Sequence, residues 1–174
     1  MPRSRSQRSV DVFVEIPKGS RAKYELDKRT GRIRLDRVLF SSVHYPADYG
    51  FVWNTLGGDG DPLDALVVVE EPTFPGCIVP TRPIGTLLMK DSKGPDEKIL
   101  GVPVGDPRFD TIRELKDLAP HWLREIEVFF ATYKALEDKA VDVIGWKDRE
   151  KALQVLRDDR RTWQREVEAK ADVP

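Results

Sequence analysis

The stretch Asp59-Gly60-Asp61-Pro62-Leu63-Asp64 puts three carboxylates into six residues, directly ahead of the apolar run Ala65-Leu66-Val67-Val68-Val69. A short apolar run of this kind reads as a strand buried on both faces, so the carboxylates stand at the mouth of a core. Gly60 admits backbone angles that a side chain forbids, and Pro62 fixes φ at the strand entry. Three like charges this close repel one another, and cations placed between them relieve the repulsion. Hard divalent ions with oxygen ligands suit the role. An EF-hand loop is excluded: Asp59, Asp61 and Glu70 fit its first, third and twelfth places, but Leu63 stands where a ligand is needed and Asp64 where the glycine belongs. A strand, not a helix, is expected to follow.

A chain of 174 residues, 40% of them apolar, is long enough for one domain with a sizeable core. A basic tail over residues 1–9, rich in Arg and Ser and lacking an apolar segment, is expected to be disordered, with a single domain over 10–174 ending in an amphipathic helix. The net charge of −1 argues against a protein built for nucleic acid or anionic lipid. No apolar stretch approaches the ~20 residues of a membrane span. Cys77, the single cysteine, can form no internal disulfide, which fits a reducing, cytoplasmic setting; its apolar neighbours suggest a small buried side chain.

Val10 to Ile16 alternates strictly, with Val10, Val12, Val14 and Ile16 on one face and Phe13 and Glu15 on the other; Pro17 ends the strand. Lys23 to Asp27 and Ile33 to Val38 form a hairpin across Lys28-Arg29-Thr30-Gly31-Arg32, which aligns Arg37 with the apolar Ile33 and Leu35. A guanidinium in that position needs a partner or a task. Between Phe40 and Asn54, Tyr45, Tyr49, Phe51 and Trp53 share parity. They read as core filling, as a platform for stacked bases, or as hydroxyl donors to an anion, with Phe13, Phe51 and Trp53 assigned to the core.

A Pro-interrupted stretch follows Pro72, Pro75 and Gly76 and leads to Ile84 to Met89. The loop Lys90 to Lys98 carries Asp91 and Asp96 around the turn dipeptide Gly94-Pro95, and a strand over Ile99 to Val104 leaves it. Short strands with few helices between them indicate a small closed barrel. Ile112, Leu115 and Leu118 suggest a short helix. Pro120 suits a first helical position, with Leu123, Ile126, Phe130 and Tyr133 on one stripe and Lys134 as a cap at the C-terminal end. A last amphipathic helix from about Asp148 would bury Ala152, Val155, Leu156, Trp163 and Val167.

Oxygen ligands therefore gather at Asp59, Asp61 and Asp64 and again at Asp91 and Asp96, with Glu15 as an outlier. Lys23, Arg37, Lys98 and Lys134 are the matching cations. Two acidic clusters and several fixed cations suit a polyanionic substrate bridged by metal. His44 and His121 are too few for a His-rich zinc site. No P-loop and no G-x-S-x-G nucleophile elbow occurs, and the Glu-rich helix of a Nudix hydrolase is absent.

These motifs closely resemble those of the family I soluble inorganic pyrophosphatases. The resemblance covers about Val12 to Trp146. It rests on Val14-Glu15-Ile16-Pro17, Lys23-Tyr24-Glu25, Asp36-Arg37, Tyr45-Pro46 with Tyr49-Gly50, the Asp59–Asp64 element, Asp91 with Asp96 and Lys98, and Tyr133-Lys134. It implies an α+β, mainly β fold: a five-stranded, OB-like closed β-barrel with flanking α-helices. The implied activity is Mg2+-dependent hydrolysis of inorganic pyrophosphate to two orthophosphates, with several Mg2+ per active site. Asp59, Asp64, Asp91 and Asp96 would be the principal metal ligands, with Glu15 serving a further ion through water. Asp61 would take the proton of the attacking water, a role some accounts give to the position of Asp96. Lys23, Arg37, Tyr49, Lys98, Tyr133 and Lys134 would bind phosphate, supported by Glu25 and Tyr45. Bacterial members of the family are typically hexamers. Some actinobacterial relatives carry His where this chain has Lys28 and Lys93, so roles proposed for those imidazoles do not transfer. A competing expectation from another class is an OB-like module for single-stranded nucleic acid built on the Tyr45–Trp53 aromatics.

Overall fold

The computed structural model describes residues 9–171. The expected basic tail lies outside the described residues except for Ser9.

Strand β1 (Val10–Ile16) buries Val10, Val12, Val14 and Ile16 as its alternation requires. β2 (Ala22–Asp27) and β3 (Arg32–Val38) form a separate hairpin, with Gly31 at φ 67° in its turn. Then come β4 (Asp48–Val52), β5 (Asp64–Val67), β6 (Ile78–Asp91) and β7 (Gly94–Pro103). The order β1-β4-β5-β7-β6 closes on itself through β1–β6 pairing, which is the expected ring of five strands; β8 (Asp142–Lys147) adds to the far side of β6.

The apolar run after Asp64 is buried because β5 is central. It pairs antiparallel with β4 and parallel with β7, and both of its faces are covered. Leu66 and Val68 join a core with Ile126, Phe129 and Phe130 of helix α1 (Pro120–Thr132). Ala65 and Val67 join a second core with Ala152, Val155 and Leu156 of helix α2 (Arg149–Ala171). Pro120 sits at the start of α1, where its missing N–H is one that no helical carbonyl would have met.

Several expectations need correction. The Pro-interrupted stretch is one fourteen-residue strand, β6, which absorbs Pro83 at a register shift between Pro83 and Gly85. The expected Lys90–Lys98 loop contracts to a tight hairpin in which Asp91 pairs with Gly94, so Pro95 and Asp96 already lie in β7. Ile112 to Leu118 holds only a short 3-10 turn, Leu115–Asp117, closed by the Glu114 and Asp117 capping box. On α2, burial stops near Leu156: Trp163 is half-buried and Val167 is 45% exposed. Leu35 and Val38 are exposed, so Arg37 does not lie on a buried apolar face. Of Phe13, Phe51 and Trp53, only Phe51 is buried; the three stack with centroids 5.2 to 5.9 Å apart, Phe13 is half-buried and Trp53 is 46% exposed. Cys77 is half-buried, not buried.

Candidate active site

The Asp59–Asp64 element folds as a turn held from inside. Thr55, buried, donates its hydroxyl to Val52 O and accepts the Leu63 N–H at 3.0 Å, while Val52 N–H reaches Leu63 O. Gly57 N–H donates to Asp61 O at 2.8 Å, and Asp59 Oδ1 accepts the Asp61 N–H at 3.0 Å. A Cβ on Gly57 would stand 3.2 Å from Asp59 Oδ1, a tight contact that the Asp59 side chain would have to shift to relieve.

This turn forms one wall of a cleft of about 860 Å³. Glu15 from β1, Lys23 and Glu25 from β2, and Tyr49 from β4 line it. Asp59, Asp61 and Asp64 join them, as do Asp91, Asp96 and Lys98 from the β6–β7 hairpin and Tyr133 and Lys134 from the end of α1. Carboxylates far apart in sequence thus share one space. Of the sequence-derived residues, Arg37 and Tyr45 are not part of the lining. Tyr45 is buried behind Tyr49, with ring centroids 5.3 Å apart, and also packs on Phe129. Arg37 is tied up in ion pairs: Nη1 lies 2.6 Å from Asp36, and Nε lies 2.8 Å from Glu137 although out of hydrogen-bond alignment.

Lys98, 2% exposed, is the hub. Its Nζ lies 2.8 Å from Asp64 and 3.0 Å from Asp96, and it donates to the Tyr49 hydroxyl at 3.0 Å. Tyr49 in turn donates to Asp64 Oδ2 at 2.6 Å. Burial works against the Lys98 charge, but Asp64 and Asp96 outweigh it and hold the ammonium above its ordinary pKa. A second chain of charge runs through the hairpin: Lys23 contacts Glu25 and lies 3.1 Å from Asp36, which Arg37 shares. Burial opposes the Asp36 charge as well, but Lys23 and Arg37 win and lower its pKa.

Glu15 is no solvated carboxylate. It is half-buried, accepts the Leu26 N–H at 2.8 Å, and is pushed up to about 7 by burial, with Asp64 adding to the effect. Burial also raises Asp96, against the pull of Lys98. Tyr133 is raised to about 12 and Tyr49 well above its ordinary value, both mainly by burial. Lys134 does not cap α1. Its Nζ stands 5.2 Å from the Tyr133 ring, and burial lowers its pKa, with Arg37 and Lys98 contributing.

Sequence reasoning missed three contributors. Thr55 carries no signal beyond a polar side chain, while Asp36 belongs to the Asp36-Arg37 motif and only its pairing with Lys23 needed the fold. Glu137 pairs with Arg37 across 100 residues, a contact that only the fold reveals. Asp159 comes from α2, a helix that reads as outer cladding, yet it lines the cleft beside Asp59 and Glu97 and is raised to about 6 by burial and by Glu97, Asp158 and Asp59. Lys28 also lines the cleft, with Nζ 3.6 Å from Asp61.

The donors are carboxylates throughout, which selects hard oxygen-seeking cations. Among the described residues, no three acidic, His or Cys side chains close tightly around a single point. Such a spread donor set fits Mg2+, which is held by one or two carboxylates and completes its shell with water and substrate oxygens.

The family model for inorganic pyrophosphatase matches residues 12–164. An inorganic pyrophosphatase of Methanosarcina acetivorans is 55% identical over 154 residues, which cover 88% of this chain and 92% of that one. One from Synechocystis is 52% identical over 147 residues, covering 84% and 87%. The crystal structure of inorganic pyrophosphatase from Thermus thermophilus superposes with a TM-score of 0.89 at 43% identity, covering 94% of this chain and 97% of that one.

Proposed function

Because the chain belongs to the inorganic pyrophosphatase family, enzymes that hydrolyse pyrophosphate, we propose that its cleft converts inorganic pyrophosphate to two orthophosphates with Mg2+ as the cofactor. One observation carries this reading: six carboxylates (Glu15, Asp59, Asp61, Asp64, Asp91 and Asp96) share a single cleft with Lys23, Lys98 and Lys134. Neither set alone suits a small, highly charged anion. Together they suit one that arrives with metal.

Asp59, Asp64, Asp91 and Asp96 hold the principal Mg2+ ions, and Glu15 serves a further one. When bound, Mg2+ makes water more acidic and neutralises phosphate oxygens. The chain supplies the rest. Asp61 is exposed in the cleft and accepts the proton of the attacking water. Asp96, raised by burial but paired with Lys98 at 3.0 Å, is the alternative acceptor. The water oxygen bonds to one phosphorus as the bridging P–O bond breaks, and the departing orthophosphate carries away the bridging oxygen. Tyr49 and Tyr133 keep their protons at neutral pH; Tyr133 can donate to a phosphate oxygen directly, and Tyr49 can do so once its hydroxyl turns away from Asp64. Lys23, Lys98 and Lys134 offset the charge that spreads over the equatorial and leaving oxygens, and Arg37, outside the lining but near enough to act on Tyr133 and Lys134, adds to their field. Glu25 steadies Lys23, and Tyr45 backs Tyr49.

We further propose a cytoplasmic homo-oligomer, the hexamer expected of a bacterial member. Leu35, Val38, Phe40 and Leu136 are large apolar side chains left exposed on the single chain, which supports self-association. Among the described residues, no helix is long and apolar enough to cross a membrane. The nucleic-acid reading gains little from the fold: Tyr45 and Phe51 are buried and Tyr49 is engaged with Asp64, so of the Tyr45–Trp53 aromatics only Trp53 is exposed, stacked on Phe13 and Phe51. Phosphate release from pyrophosphate, run with and without Mg2+ beside filter binding of single-stranded DNA, separates the two. Mg2+-dependent release without salt-sensitive DNA retention supports hydrolysis, and the reverse pattern refutes it.

A further inference from the structure

Helix α2 does more than cover the barrel. Its buried residues are Ala152, Val155 and Leu156, and one turn further on it meets the carboxylate turn. There Leu56 N–H donates to the backbone carbonyl of Asp159 at 3.0 Å, and the next residue, Gly57, begins the turn that carries Asp59. The Asp159 side chain points the same way. A Cβ on Gly57 would lie 3.7 Å from Asp159 Oδ2 and 3.2 Å from Asp59 Oδ1, so the two carboxylates flank the same glycine.

Asp159 forms no ion pair among the described residues, although α2 is rich in arginine; Arg161 reaches Asp158 instead. The charges acting on Asp159 are those of Glu97, Asp158 and Asp59, all carboxylates. An unpaired, half-buried carboxylate held against others costs stability in the metal-free protein. Its field falls on the turn where Asp59 faces the cleft.

We propose that Asp159 is a positioning residue for the divalent cations of this cleft: its carbonyl anchors the turn at Leu56, and its carboxylate strengthens the negative field at Asp59. This rests on the pyrophosphatase reading and adds to it a residue from a helix outside the barrel ring.

The test is Mn2+ binding to the substrate-free protein, measured by calorimetry on wild type, Asp159→Asn and Asp158→Asn. Thermal unfolding in chelator accompanies each measurement. Asp159→Asn is expected to weaken Mn2+ binding by roughly three- to tenfold, the scale of one half-exposed charge acting on a divalent ion. Its metal-free melting temperature is expected to hold or rise, because a repulsive charge is removed. A purely structural role would lower that temperature. Asp158→Asn, exposed on the same helix, is expected to bind Mn2+ as wild type does. Unchanged affinity in Asp159→Asn, or an equal loss in Asp158→Asn, would overturn the proposal. Wild type that neither bound Mn2+ nor released phosphate from pyrophosphate would overturn the pyrophosphatase reading, and this inference with it.

Discussion

The Lys98 ammonium lies 2.8 Å from the Asp64 carboxylate, and the two residues are register partners on the parallel strands β7 and β5. Strand pairing therefore delivers a buried cation directly to a carboxylate that would hold metal. The pairing also sets how the cleft responds when either charge is removed.

Replacing Lys98 with Met keeps the stem and removes the charge, leaving Asp64 and Asp96 facing each other without a counter-ion. The metal-free protein is expected to lose about 1–3 kcal/mol, below the full penalty for a buried pair because both carboxylates are partly solvated. Mg2+ is expected to recover more stability in this variant than in wild type. Urea unfolding with and without Mg2+ measures both; equal stability of variant and wild type in chelator would show that Lys98 balances nothing.

Asp64→Asn removes a ligand charge but keeps the shape and the hydrogen-bond acceptor for Tyr49. Turnover is expected to fall roughly 10²- to 10³-fold, the scale of losing one strong electrostatic contact in the transition state. The circular dichroism spectrum should not change. Near-normal turnover at low Mg2+ would remove Asp64 from the metal set.

Glu15 gives a pH signature. Its carboxyl is raised from an ordinary 4.5 to about 7 in the fold, chiefly by burial. A raised carboxyl contributes stability that is fully present below about 4.5 and is lost as pH climbs through about 7. The metal-free protein should therefore lose this contribution between pH 4.5 and 7. Mg2+ binding near pH 6.5 should release a proton, since the cation favours the charged carboxylate. Calorimetry in two buffers of different ionisation enthalpy counts the protons, and Glu15→Gln should shrink the difference, leaving the part due to Asp96 and Asp159.

Gly50 lies opposite Val14 where β4 crosses β1, and a Cβ there would sit 1.8 Å from Phe13 O. Gly50→Ala must push the strands apart beside Tyr49. A loss of about 3 kcal/mol or failure to fold is expected, at the upper end for overpacking. A melting temperature within a degree or two of wild type would contradict the tight β1–β4 crossing.

What the sequence made legible, and what it hid, follows from where each signal is stored. The alternation of Val10 to Ile16 and the continuous apolar run after Asp64 are local patterns dictated by burial; the first forms a strand as read, and the second is buried throughout but is a strand only to Val67. The carboxylate turn was equally plain, because Gly60 and Pro62 mark it. β6 was obscured because Pro80 and Pro83 look like breaks until a register shift accommodates Pro83. β8 went unread because its pattern is blurred: Ile144 is 64% exposed while Gly145 has no side chain to declare a face. Asp91 and Asp96 stand out in the sequence, but Gly94-Pro95 suits a tight hairpin as well as a loose loop, and only the strand pairing distinguishes them. Glu137 and Asp159 could not be found locally, because each acts on a residue about a hundred positions away.

The central claim is that carboxylates distant in the chain hold divalent metal in one cleft, and anomalous diffraction from crystals grown with Mn2+ tests it most directly. The expected result is anomalous density between Asp59, Asp64, Asp91 and Asp96, with a further site reached by Glu15 through water. Manganese bound only outside this cleft, with these carboxylates untouched, would contradict the claim.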